Sequence, residues 1–119
     1  MTIFIDDMDA PFGRMLMSHM WSDTSLDELH AMARRLGMRA SWFQCKILSP
    51  EANLPKVESL GIWPLPHYDV AKQKKAQAIA LGAVLLEYGT NDAWIEATRR
   101  GRLLHPQRAK WLEADRHGS

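Results

Sequence analysis

Between Lys46 and Pro66 the chain carries four prolines, Pro50, Pro55, Pro64 and Pro66, together with Gly61. Proline lacks the backbone donor that a helix or an inner strand needs, and it pushes the residue before it out of the helical region. No long regular element crosses such a stretch, so the fold is assembled from what lies on either side of it. The stretch also holds Leu54, Val57, Leu60, Ile62 and Trp63, too many apolar groups for a linker. Long loops inside a compact domain are usually functional. We read 46–66 as a packed excursion that lids a site or presents a partner surface, with Trp63 as its exposed anchor.

Before the excursion, Thr2-Ile3-Phe4-Ile5 is β-branched and aromatic and reads as strand one. It ends in Asp6-Asp7. Paired carboxylates at the end of an apolar strand suit a metal or phosphate site, because ligands collect beyond the carboxyl ends of strands in open α/β sheets. They equally suit capping of the turn that follows. Pro11 and Gly13 make Asp9–Arg14 a loop, and Arg14 offers a planar, always-charged fork for a carboxylate or phosphate. Met17–Trp21 reads as strand two. Its direction matters: on this reading only a parallel arrangement brings His19 and Asp23 to the same edge as Asp6-Asp7. His19, alone in an apolar run, is a core histidine or a ligand. Ser25 and Glu28 have capping-box spacing and open a helix that Gly37 closes, with Leu26, Leu29, Ala33 and Leu36 as its buried stripe. His30 borders that stripe and reads as a packed, satisfied side chain. Ser41–Cys45 reads as strand three.

After the excursion, Pro66-His67-Tyr68-Asp69 sits at what reads as a helix start, with Asp69 as N-cap of a helix from Val70 to about Leu81. Ala76, Ile79, Ala80 and Ala83 form its small-residue face. Ala83–Tyr88 is strand four, so strands three and four with the helix between them make a right-handed, parallel β-α-β unit. Thr90, Asn91 and Asp92 start a third helix, with Trp94 and Ile95 as buried anchors and Gly101 as its stop. Pro106 opens a last helix carrying Trp111 and Leu112. The expected fold is α/β: a single small three-layer domain with a short, mostly parallel sheet of about four strands and C-terminal helices. The domain is 1–119, with a core over 2–88, the excursion at 46–66 and basic C-terminal helices over 90–115.

The 119 residues suffice for one core. One cysteine, Cys45, excludes a disulfide framework and a multi-Cys zinc site. The acidic start lacks the basic region of a signal peptide, and no apolar run approaches the roughly 20 residues of a membrane helix. Cytoplasm is the expected location. The net charge of +1 conceals an asymmetry: residues 1–70 hold nine acids against six bases, residues 71–119 five against nine. Any phosphate-facing surface is expected in the second half.

Several segments occur together in one order: Ile5-Asp6-Asp7-Met8, Gly13-Arg14-Met15, Ser18-His19-Met20, Asp23-Thr24, Glu28-Leu29-His30-Met32-Ala33, Trp42-Phe43-Gln44 and His67-Tyr68-Asp69. Lys74-Lys75 then precedes Ala78-Ile79-Ala80-Leu81-Gly82-Ala83. Over roughly residues 2–88 the chain resembles the bacterial and phage family catalogued as domain of unknown function 4031. That resemblance implies a recurring small domain and makes 46–66 an insertion; it implies no activity.

The residues themselves support three readings. In the first, a metal-dependent hydrolase acts on phosphoester bonds of a phosphate-containing substrate. Its metal ligands are drawn from Asp6, Asp7, His19, His67 and Asp69, without thiolates, which suits Mg²⁺, Mn²⁺ or Zn²⁺. His67, Tyr68 and Arg14 are its candidate catalytic groups, and Arg14, Gln44, Lys74 and Lys75 its candidate substrate contacts. In the second, a non-catalytic module without cofactor binds a nucleotide or nucleic acid at the N-terminus of the Val70 helix. In the third, the excursion makes an accessory protein interface. No membrane contact is expected, and nothing in the sequence sets an oligomeric state.

Overall fold

A computed structural model describes residues 2–45, 65–89 and 91–106. The expectations for Trp63 and most of the excursion, and for the last helix with Trp111 and Leu112, fall outside these residues. The elements are β1 (Ile3–Asp6), β2 (Ala10–Phe12), β3 (Met15–Ser22), α1 (Leu26–Arg35), a 3₁₀ turn (Ala40–Trp42), β4 (Phe43–Gln44), β5 (His67–Ala71), α2 (Lys72–Ala80), β6 (Val84–Leu86) and α3 (Asp92–Arg102).

The strands form one six-stranded sheet in the order β4-β5-β3-β1-β6, with β2 also paired to β3. Among the described strands only β1 and β6 pair in parallel; β3 is antiparallel to β1, β2 and β5, and β4 is antiparallel to β5. The sheet is mixed and wider than the expected four-stranded, mostly parallel one. The reason lies in Gly13-Arg14. Ala10–Phe12 is a strand rather than a loop, and Phe12 pairs directly with Met15. Two residues therefore make the whole turn, with Gly13 at φ +62°. A two-residue link forces a hairpin, since a parallel crossover needs a dozen residues or more.

A second correction concerns the start of α2. His67–Ala71 is a strand, and the helix begins only at Lys72. Its N-cap is Ala71, which offers no side-chain acceptor, so Asp69 is not the cap. Tyr68 and Val70 are buried while His67, Asp69 and Ala71 are half-buried. This period-two pattern, with an aromatic and a β-branched residue on the inner face, favours strand over the first turn of a helix. The β-α-β unit is consequently β5–α2–β6. Strands three and four of the sequence reading lie at opposite edges of the sheet.

Alternation gives the sheet two unlike faces. Ile3, Ile5, Met20, Tyr68 and Val70 enter the core with Leu29, Met32, Ala33 and Leu36 from the α1 region and Ala78 from α2. Removing the larger of these, the isoleucine, leucine, methionine and valine side chains, from water stabilises the fold by about 1.5–3 kcal/mol each. Ser25 caps α1 through its hydroxyl, which accepts from the Glu28 N–H at 3.1 Å, and Gly37 follows at φ +74°. The expected small-residue face of α2 is displaced: Ala78 and Ala83 are buried, whereas Ala76, Ile79 and Ala80 are exposed. On the other face Trp21 donates from Nε1 to the Ala97 carbonyl at 3.0 Å, which seats α3. Asn91 caps α3 by accepting from the Trp94 N–H. Gly101 lies buried inside α3 rather than ending it, and Ile95 is exposed rather than an anchor.

Candidate functional site

Ile5 pairs with Met20 and Ala10 with Met17. Residues 6–9 on one side of the gap thus oppose only Ser18 and His19 on the other, a bulge of two extra residues. Asp9 absorbs part of the bend at φ +48°, a conformation that Asp tolerates better than most residues. The Asp6 side chain fills the place the diverted backbone leaves. Its Oδ1 accepts from the His19 N–H at 3.0 Å and the Met8 N–H at 3.2 Å. Its Oδ2 accepts from His19 Nδ1 at 2.8 Å and Trp94 Nε1 at 3.1 Å. The carboxylate is fully buried. Burial alone raises its pKa, but the bonds from the His19 ring and backbone and from Trp94 outweigh it and hold the group below the usual carboxylate range.

The antiparallel register then assembles the site. His19 lies directly across from Asp69, and His67, two residues earlier in β5, shares their face. Cross-strand neighbours of this kind have Cβ atoms about 5 Å apart. His19, His67 and Asp69 each present one ligand atom, all within 4.8 Å of one another. The condition that His19 needs a parallel strand to meet Asp6 is overturned: β3 is antiparallel, yet its middle passes the end of β1. Asp23 sits at the far end, accepting from the Thr2 N–H.

Hydrogen bonds fix the histidine tautomers. The Leu65 carbonyl can only accept, so His67 Nδ1, 2.6 Å away, donates to it, and Nε2 keeps its lone pair. His19 Nδ1 likewise donates to the Asp6 carboxylate and leaves its own Nε2 for the cluster. Burial lowers the pKa of His67, with the nearby His19 adding to the effect, which favours its neutral form. Burial also depresses His19, but the Asp6 bond and charge, with Asp69 behind them, reverse the sign and raise it. His67 Nε2 stands 3.3 Å from Asp69 Oδ1, and Gln44 Nε2 donates to Asp69 Oδ2. The rings of His19 and His67 meet edge to face at 5.1 Å.

The remaining nominated residues are outside the cluster. Asp7 is outside the cluster; its Oδ1 accepts from the Tyr88 N–H at 2.6 Å and ties the end of β1 to the segment after β6. Tyr68 points to the opposite face, buried, with its hydroxyl 2.7 Å from His30 Nδ1. Arg14 is exposed in the hairpin turn, separated from His19 by roughly 16 Å of strand. Lys74 donates from Nζ to the Leu36 carbonyl at the end of α1, and Lys75 to Asp9. Six participants were not nominated from sequence. Trp94 binds Asp6 from α3, a long-range contact with no local signal. Trp42 and Phe43 join Met8, Met15 and Met17 in lining a cavity of about 810 Å³ whose wall includes His19 and Asp69. The alternation Met15, Met17, His19 was the available signal for that lining.

A scan against family models matches residues 3–98 to the family described as protein of unknown function DUF4031. The chain belongs to the DUF4031 family. The match runs from β1 into α3 and includes every residue of the His19–His67–Asp69 cluster together with Asp6, Gln44 and Trp94. Searches of curated proteins and of solved structures return no match to this DUF4031 chain. Among the described residues, no helix is long and apolar enough to cross a membrane.

Proposed function

We propose that this DUF4031 protein is a metal-dependent hydrolase acting on a phosphate-containing substrate, with a divalent ion held by His19 Nε2, His67 Nε2 and an Asp69 oxygen. One observation carries the reading. Both imidazoles commit Nδ1 to a fixed acceptor, Asp6 or the Leu65 carbonyl, and so leave Nε2 as the ring nitrogen free to ligate beside the same carboxylate, once His19, whose pKa is raised, gives up its proton to the ion. Metal-binding histidines are oriented by such outer partners almost without exception. In a tetrahedral site the ligand atoms sit roughly 3.3 Å apart. His67 and Asp69 already meet that separation at 3.3 Å, and closing the 4.8 Å limit of the cluster takes a side-chain movement of about 1.5 Å. Asp69, the most exposed of the three, has the room to move.

Two imidazoles and one carboxylate favour Zn²⁺ or Mn²⁺ over Mg²⁺, and three protein ligands leave positions for water and substrate. The ion would polarise a phosphoryl oxygen and acidify a bound water. The N-terminus of α2, whose cap Ala71 supplies no side-chain acceptor, adds its positive dipole end near the same wall.

The test is to strip the protein with a chelator and titrate Zn²⁺, Mn²⁺ and Mg²⁺ by calorimetry and thermal unfolding. One equivalent of Zn²⁺ or Mn²⁺ is expected, stabilising by about 2.7 kcal/mol at a hundredfold excess over Kd. His67→Ala should abolish the binding. Absence of stoichiometric metal, with His67→Ala indistinguishable from the parent, rejects the reading.

A further inference from the structure

We propose that the substrate carries an uncharged apolar or aromatic group next to its phosphate, received by the cavity that runs from His19 and Asp69 to Trp42. The inference rests on the hydrolase reading for the position of the reacting end and goes beyond it in naming what the rest of the substrate is. At about 810 Å³ the cavity has the size of a small-molecule site, far more than a phosphate group needs. Its lining explains what it prefers. Met15 and Met17 from the β2–β3 hairpin and Met8 from the bulge offer flexible, polarisable surface that adapts to irregular apolar shapes. Trp42 adds an indole that is 45% exposed, with the Arg39 guanidinium 5.9 Å from its ring centroid. An aromatic surface left open to water beside a cavity is suited to stacking on a planar ligand group.

Charge excludes the competing occupant. A nucleic-acid strand threading this cavity would need a row of cations to replace its counterions. Lys74 is the one cation among the described lining residues, and its Nζ is committed to the Leu36 carbonyl at 2.6 Å. The two acidic and basic groups that line the wall near the cluster, Asp69 and His19, belong to the reacting end. A single anionic group at the metal and an uncharged body along the methionines and Trp42 fits this distribution; a polyanion does not.

Calorimetry on the Zn²⁺-treated protein with phenyl phosphate, methyl phosphate and a short single-stranded oligonucleotide tests this. Phenyl phosphate is expected to bind at least about tenfold more tightly than methyl phosphate, the scale of one aromatic stacking contact. Trp42→Ala, on an exposed turn, should erase that difference while leaving Zn²⁺ affinity unchanged. Equal affinity for the two esters, or tightest binding by the oligonucleotide with a steep salt dependence, overturns the inference while Zn²⁺ binding keeps the hydrolase reading. A phenyl preference that survives without any Zn²⁺ binding upholds the cavity assignment and rejects the metal. Failure of Zn²⁺ and both esters to bind rejects both.

Discussion

Asp6 illustrates how one carboxylate can be structural and still govern a site. Four donors converge on it, from Met8, His19 twice and Trp94, and it is fully buried. Replacing it by Asn keeps the shape but turns an NH₂ group toward donors, so no orientation of the amide satisfies all four. A destabilisation of about 1–3 kcal/mol is expected for Asp6→Asn in urea unfolding; an unchanged midpoint would show that the carboxylate is not the organiser of the bulge. Asp9 offers a pH-dependent counterpart. The Lys75 ammonium, 2.6 Å away, holds its carboxyl below the usual range against the opposing effect of burial, with the Ser18 hydroxyl assisting. Because the folded pKa is depressed, the pair's contribution is complete above the unfolded value near about 3.9 and is lost as pH falls through the folded one. Lys75→Met should move the Asp9 titration, followed by carboxyl-carbon NMR, upward toward the ordinary value. No movement would assign the depression to Ser18 instead.

At the scale of elements, α3 docks through a contact that only glycine permits. A Cβ at Gly101 would come within 2.6 Å of both Leu65 Cδ1 and Trp21 Cδ1. The Leu65 methyl can rotate aside, but Trp21 is fully buried and its Nε1 is fastened to Ala97. Helix propensity favours Gly101→Ala by about 1 kcal/mol. Overpacking costs about 1–3 kcal/mol and is expected to win, giving net destabilisation in chemical unfolding; a stabilised Gly101→Ala protein would mean that α3 sits more loosely against β3. The same position shows a limit of sequence reading. A glycine near the end of an amphipathic run reads equally as a stop or as a close approach, and only the packing partner separates the two. For α1 the local signals agreed, since Ser25, Glu28 and Gly37 all act within a few residues of each other, and that helix was legible.

At the scale of the molecule, the sheet divides His67 from Tyr68. Adjacent in sequence, they face opposite sides, one toward the cluster and one toward His30 and the core. Variants should divide in the same way. Tyr68→Phe should lower stability by about 0.5–1.5 kcal/mol through the lost His30 bond and leave Zn²⁺ affinity unchanged. His67→Ala should remove Zn²⁺ binding with a smaller effect on the metal-free midpoint. Calorimetry and unfolding on both variants check this, and a Tyr68→Phe protein that loses metal would contradict the two-faced sheet.

The sequence by itself determined the apolar strands around Ile5 and Met20, the capped helix α1, the start of α3 within Thr90-Asn91-Asp92 and the family resemblance, because each rests on neighbours close along the chain. It also brought His19, His67 and Asp69 into one candidate set, though on the grounds of residue type. Their meeting was decided by tertiary structure. A two-residue turn at Gly13-Arg14 makes β3 antiparallel, and a two-residue bulge sets Asp6 against His19. The register of β3 on β5 then places His19 across from Asp69. Strand direction and register are long-range quantities, and a slip of one residue would send every one of these side chains to the other face.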